Sequence, residues 1–269
     1  MLFRSRLKAL CVRRRRGRTD SGKAGRGRAP RPAFVVPGLL ETARDIEFNR
    51  ARRTVIALDP ATGKEIWKHD LGTVGAPNRG VSYWAGDGRL SPRILAGTSD
   101  GRLLALDAET GKLVPSFGVG GAINLREGVA DKFPKMPYAV ASPGIVYRNL
   151  IITGARGQED NPEGPAMDVR AWDLRTGKLV WTFHPIPHPG EPGYDTWPKD
   201  YWMTAGSPAN WGAGSVDVER GLVFLPIGQP ASQYYGGHRA QANLYSSCVV
   251  ALDANTGKVR WYFQLTHHD

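Results

Sequence analysis

The chain contains no run of about 18 or more apolar residues, so no segment of it reads as a membrane-spanning helix. Cysteine is scarce: only Cys11 and Cys248 occur, one in a basic leading stretch and one in a strand-like run. That excludes a disulfide framework, and no bridge between them is expected. Long helix-forming runs are also missing. With 33 Gly, 20 Pro and 8 Trp in 269 residues, the composition favours many short strands joined by tight turns. A secretory leader would need a longer apolar core than Leu7–Val12, which four arginines follow at once, so no usable export signal is recognised.

An excess of positive charge is missing from most of the chain as well. The formal net charge is +11, yet residues 1–54 hold 16 Lys and Arg against four Asp and Glu, and the other 215 hold 20 against 21. Residues 1–46 therefore read as a disordered or non-native leading segment, since clustered like charges with Gly and Pro offer no core. The near-neutral remainder, residues 47–269, carries no basic stripe, and nucleic acid is not an expected partner.

One pattern recurs four times, Asp-x-x-Thr-Gly-Lys, starting at Asp59, Asp107, Asp173 and Asp253. A Trp follows three copies at the same offset (Trp67, Trp181, Trp261), and Pro115 stands there in the second. Apolar runs such as Val55–Leu58, Leu103–Leu106 and Val249–Leu252 precede the motif and read as buried strands. Asp and Thr can bond the turn backbone, and Gly supplies the positive φ of a tight hairpin. One such hairpin cannot bury both faces, but stacked copies can, each Trp covering its neighbour. Spacings of 48, 66 and 80 residues are too uneven for a solenoid. Further strands are read at Arg93–Gly97, Ile145–Ile152 and Gly221–Leu225, giving about four strands per unit. The expected fold is all-β, a partial β-propeller of about four blades, with no strand pattern before Val55.

These repeats resemble the tryptophan-docking motifs of the eight-bladed quinoprotein dehydrogenases, which depend on pyrroloquinoline quinone. The repeat by itself also resembles smaller propellers that bind partners and catalyse nothing, so a non-catalytic scaffold is the alternative reading. The loops favour the enzyme. Asn78-Arg79-Gly80-Val81-Ser82-Tyr83 looks like the family segment whose arginine contacts the quinone's oxygens, and Asn210-Trp211-Gly212 like the segment whose tryptophan lies under the quinone ring. Ser142 falls where the family has a hydroxyl residue near the cofactor. A flat, polyanionic tricycle calls for a flat aromatic partner and a forked cation, which Trp211 and Arg79 would supply. Their structural alternatives are a blade-docking tryptophan, a solvated loop arginine and a turn serine.

The resemblance implies oxidation of an alcohol, polyol or aldose hydroxyl by hydride transfer to the quinone, in the periplasm. It implies calcium, or another divalent or lanthanide cation, beside the cofactor. The electron acceptor would be ubiquinone or a cytochrome, and the longer parent could associate with a membrane. Glu159, Asp160, Glu163 and Asp168 lie where alcohol-oxidising members place a metal-binding glutamate, but the spacing differs, so all four read as exposed loop acids and no ligand is assigned. His184, His188 and His238 lack ligand-like spacing, and the adjacent His267 and His268 would point to opposite faces of a strand. His184–Pro192 reads as a rigid rim loop. Thr73-Val74 stands where the alcohol branch has adjacent cysteines, which favours the glucose dehydrogenase-like branch. In the family, His-His-Asp continues Leu-Trp-Asp, and that last aspartate is the catalytic base. It would fall three residues past Asp269, so the sequence is expected to be a truncated piece with no catalytic residue of its own.

Overall fold

The computed structural model describes residues 34–37, 53–75, 79–206, 208–266 and 268. Among them the strands, in chain order, are β1 (Phe34–Pro37), β2 (Thr54–Leu58), β3 (Glu65–Asp70), β4 (Ser82–Trp84), β5 (Arg93–Gly97), β6 (Arg102–Asp107), β7 (Ala122–Asn124), β8 (Ile145–Tyr147), β9 (Leu150–Thr153), β10 (Val169–Asp173), β11 (Leu179–Phe183), β12 (Ser215–Asp217), β13 (Leu222–Ile227), β14 (Cys248–Asp253) and β15 (Val259–Gln264). They form four antiparallel meanders: β1-β2-β3, then three four-stranded sheets, β4 to β7, β8 to β11 and β12 to β15.

The repeated motif builds the same turn four times. Each Asp Oδ1 accepts the backbone N–H groups two and three residues on, as in Asp59 with Ala61 and Thr62, both at 2.9 Å, and Asp253 with Asn255 and Thr256 at 3.0 and 3.1 Å. The motif glycines Gly63, Gly111, Gly177 and Gly257 take φ between 69° and 76°, which residues with a Cβ disfavour. A bulge after the turn then sets Trp67, Trp181 and Trp261 opposite Ala57, Ala171 and Ala251. The second copy departs from this where Pro115 replaces Trp. Proline has no N–H for a ladder, and the outer partner of β6 is instead β7, reached after a loop over 113–121.

The core lies between sheets. Ile94 and Ala96 face the first sheet with Trp67, while Leu95 faces the third with Trp172 and Ile151. A third cluster joins Trp181 and Val169 to Val223 and Val250. Central strands buried on both faces explain the unbroken apolar runs, since successive side chains alternate between the two interfaces. Two of the motif tryptophans bridge the gap between sheets. Trp67 Nε1 donates to the Ala108 carbonyl at 3.0 Å and Trp181 Nε1 to that of Ala254 at 3.1 Å. The rings lie so close that a Cβ on Gly111 or Gly257 would meet them at 2.4 and 2.6 Å. Trp84, outside the motif, docks the same way on the Arg148 carbonyl at 3.0 Å.

Two expectations need correction. The run Ile145–Ile152 is not one strand but the hairpin β8–β9, turning through Arg148 at φ 52°. A strand also precedes the first repeat: β1 pairs with β2 from Phe34↔Leu58 to Pro37↔Val55, inside the stretch expected to lack structure. Ladder pairing requires only backbone groups, so a four-residue strand forms without a longer apolar pattern. At the opposite sheet edges, β8 contacts both β4 and β12, which puts the first strands of three sheets side by side.

Candidate functional site

The segments that enter β4, β8 and β12 converge. Arg79 lies three residues before β4, Ser142 three before β8 and Trp211 four before β12, so the same structural position in three sheets supplies the three expected residues. Arg79 Nη1 donates to the Trp211 carbonyl at 3.0 Å and to Ser142 Oγ at 3.3 Å, and Ser142 Oγ donates to the Trp211 carbonyl at 2.5 Å. The guanidinium carbon sits 4.8 Å from the centre of the Trp211 ring. Trp211 is 47% exposed, whereas the docked Trp67 and Trp181 are 8% and 7% exposed.

The polypeptide around this knot is tightly fitted. A Cβ on Gly154, at the end of β9, would lie 2.1 Å from the Asn210 carbonyl oxygen, so a residue lacking one is needed for the two backbones to approach. Asn210 is buried, and its Oδ1 has no hydrogen-bond partner. On another side, Trp211 forms a wall of a shallow open cleft, with Arg156, Gln158, Met167, Gln229 and Gln233.

The acids behave differently from one another. Glu159, Asp160 and Glu163 are exposed, as expected. Asp168 is not: it is buried beside β10, with Oδ2 3.9 Å from His184 Nε2. Flanked by Met167 and Val169, it enters the core with the strand that follows. Burial pushes its carboxyl up to about 6, while His184 and Arg170 pull it down and Glu191 pushes it up. His184 Nδ1 meets Glu191 Oε1 at 2.9 Å, the His188 N–H donates to Glu191 Oε2 at 2.7 Å, and the His184 and His188 rings stack at 3.7 Å. This clasp closes the loop after β11 on itself. It was not legible from spacing, because Asp168 reaches it from another strand. His188, tilted against Trp202, has its imidazolium disfavoured by burial and then by His184.

His238 Nε2 is 3.0 Å from the Tyr201 hydroxyl, and His268 Nδ1 is 2.8 Å from the Gln241 carbonyl oxygen. Cys248 is a buried free thiol, pushed up to about 11 mainly by burial. Cys11, Asn78, His267 and Asp269 lie outside the described residues. Among the described residues no three His, Cys, Asp or Glu gather as a metal would require, and no helix is long and apolar enough to cross a membrane.

Four-strand antiparallel meanders stacked face to face, with their first strands side by side, define a β-propeller architecture. The family model described as "PQQ: Glucose/ethanol/alcohol dehydrogenase, beta-propeller domain" matches residues 45–269, and the chain belongs to that family of quinoprotein dehydrogenases. It is 34% identical over 260 residues to the glycerol dehydrogenase large subunit of Gluconobacter thailandicus, covering 90% of this chain and 35% of that one. With the quinoprotein glucose dehydrogenase of Escherichia coli K12 it shares 32% identity over 236 residues, 81% of this chain and 29% of that protein. The crystal structure of quinohemoprotein alcohol dehydrogenase from Comamonas testosteroni superposes with a TM-score of 0.64 at 28% identity, over 79% of this chain and 32% of that one. The chain thus spans about a third of the length of the relatives it matches.

Proposed function

We propose that this chain is the part of a quinoprotein dehydrogenase that carries one side of the cofactor site, in a protein oxidising an alcohol, polyol or aldose hydroxyl. The observation that carries the reading is the convergence of Arg79, Ser142 and Trp211 from three sheets. Relatives named glycerol dehydrogenase and quinoprotein glucose dehydrogenase support polyol and aldose substrates.

The residues present fit the group. The half-exposed Trp211 indole offers a flat surface against which an aromatic tricycle stacks. Arg79 brings a permanent positive charge with N–H donors beyond the Nη1 pair already engaged, suited to carboxylate or quinone oxygens. Ser142 fixes the Trp211 main chain through its hydroxyl and so holds the ring in place. The unpartnered Asn210 Oδ1 marks an acceptor that this site leaves unused. Pyrroloquinoline quinone, when bound, supplies the acceptor for the hydride that leaves the substrate carbon. Calcium, or another divalent or lanthanide cation, belongs to the proposal with no ligand assigned, and so does the periplasmic setting. Ubiquinone or a cytochrome as acceptor, and membrane association of the longer protein, are proposed on the family resemblance alone. A division between the basic stretch 1–46 and a propeller part at 47–269 is proposed, supported by the family match starting at residue 45, with β1 at Phe34–Pro37 reaching back from the first stretch to join the first sheet.

No general base is assigned within the chain. The 269 residues are therefore expected to bind quinone but not to oxidise glucose or glycerol with an artificial acceptor. Equilibrium dialysis against quinone and calcium, followed by a dye-linked assay, tests both points. Retained quinone without turnover agrees with the reading. Turnover would overthrow the absence of a base, and no retention would favour the non-catalytic scaffold.

A further inference from the structure

The imidazole of His184 sits between two carboxyl groups. Its Nδ1 lies 2.9 and 3.1 Å from the two oxygens of Glu191. An ionised carboxylate only accepts, so Nδ1 carries the hydrogen of this bond. The other ring nitrogen, Nε2, stands 3.9 Å from Asp168 Oδ2. In a neutral ring protonated on Nδ1, Nε2 is a bare lone pair, and an ionised Asp168 has nothing to donate to it. Two acceptors would then face each other where Asp168 is buried, with the Glu191 charge on the far edge of the ring. A single proton, on Asp168 or on Nε2, turns that opposition into attraction.

Among the described residues no neighbour is placed to supply that hydrogen. Arg170 spends its guanidinium on the Glu127 carbonyl and the Tyr138 hydroxyl, each at 3.0 Å, and on the Leu125 carbonyl. Tyr138 acts on Asp168 through charge alone, and Tyr245, on the loop before β14, faces Glu191. His188 stacks on His184 at 3.7 Å, and burial, then His184, disfavours a second proton on it. These are the titratable and charged groups around the ring.

What the clasp holds is short. Glu191 also accepts the His188 N–H at 2.7 Å, and its own N–H bonds the His188 carbonyl at 3.0 Å, so residues 184–191 close on themselves. The rest of the loop is anchored separately. Trp197 Nε1 donates to the Leu244 carbonyl at 3.0 Å, the Asn243 N–H to the Thr196 carbonyl at 2.8 Å and the Gly206 N–H to the Pro162 carbonyl at 2.8 Å. Losing the clasp therefore frees 184–192 and leaves 196–206 in place. Asp168 directly follows Met167, which lines the cleft beside Trp211, so the clasp adjoins a wall of that cleft.

We propose that a proton shared by Asp168 and His184 latches the 184–192 segment shut, and that its loss as the pH rises releases the segment as a pH-sensitive strap on the rim of the propeller. The sign follows from the buried carboxyl, which is pushed up from 3.8 to about 6. The latch is fully present below about pH 4 and is lost as the pH rises through about 6. The inference does not depend on quinone binding.

Amide hydrogen exchange of the isotope-labelled chain, followed by NMR at about pH 5 and about pH 7.5 and corrected for the intrinsic rate, tests it. The His188 N–H reads the strap, and the Asn243 N–H reads the separate anchor. A released carboxyl at 3.8 against a latched one at about 6 makes His188 about ten-fold less protected at the higher pH, with Asn243 unchanged. In Asp168→Asn the side-chain amide offers an N–H to Nε2 at any pH, so His188 is expected to stay protected under both conditions. Glu191→Ala removes the acceptor, and His188 is expected to exchange freely under both. Wild-type protection of His188 that does not change with pH overturns the inference, as does an equal loss in Asp168→Asn or a fall at Asn243 that matches it. Should Asp168→Asn not fold, wild type and Glu191→Ala still decide, because a His188 amide that stays protected in Glu191→Ala would show that the clasp does not hold the strap.

Discussion

Replacing Asp168 by Asn should make the protein more stable at neutral pH, although it removes a charge next to a histidine. In the folded chain the carboxyl is buried and pushed up from 3.8 to about 6, with burial as the largest cause. His184, Arg170, Glu191 and Tyr138 are the titratable or charged groups that act on it, and the attraction of His184 and Arg170 does not repay the lost hydration. For a carboxyl whose folded value is raised, the folded state binds more protons than the unfolded chain between about pH 4 and 6. Its contribution is therefore fully present near pH 4 and is lost as pH rises through 6. A shift of about two units corresponds to about 3 kcal/mol of destabilisation at neutral pH, an upper bound for what Asn recovers because the amide must find partners of its own. For a chain of this size that equals a rise in Tm of up to about 6–12 °C. Urea unfolding of wild type and Asp168→Asn across this pH range is the assay. The variant should gain most at neutral pH and little near pH 4. Parallel pH profiles, or a variant clearly weaker at neutral pH, would mean that Asp168 is held charged in a stabilising ion pair and would refute the reasoning.

Gly257→Ala should cost about 2–4 kcal/mol, because it adds positive-φ strain and drives a Cβ into the Trp181 ring, whereas Gly120→Ala, with nothing within 4 Å, should cost only about 1 kcal/mol. Chemical denaturation of both variants separates the clash from the strain, and equal losses would remove the docking argument. Trp181→Ala should cost about 3–5 kcal/mol by the same measurement, and a loss below about 1 kcal/mol would contradict its bridging role. Cys248 should react with a thiol reagent at least about 100-fold more slowly than an ordinary exposed cysteine at neutral pH, as followed by peptide mapping, and unfolding should abolish the difference.

Most of the fold was legible because the propeller is written in short-range chemistry. Asp59, Thr62 and Gly63 specify a turn by themselves, and that turn recurs unchanged at Asp107, Asp173 and Asp253. The split of Ile145–Ile152 was hidden because Arg148-Asn149 carries no glycine, and the left-handed conformation falls on an arginine. The displaced β7 traces to Pro115, whose missing N–H shows in the sequence but whose effect on the pairing depends on the later strand. For the site, resemblance picked out Arg79, Ser142 and Trp211. Their mutual bonds depend on residues 63 and 132 positions apart and could not come from local pattern. Asp168 was misjudged as exposed because its acidity outweighed its place between Met167 and Val169. The link from Asp168 to His184 is tertiary and left no periodic trace.

The most direct test of the quinone site is a tryptophan-fluorescence titration with pyrroloquinoline quinone in the presence of calcium, on wild type, Trp211→Ala and Arg79→Ala. Both substituted side chains are exposed, so all three proteins should be equally folded. A saturable quench in wild type is expected, with the Trp211→Ala curve reduced in amplitude and both variants weakened by about ten-fold or more, the equivalent of about 1.4 kcal/mol. A wild-type signal that never saturates, or three superimposable curves, would contradict the account.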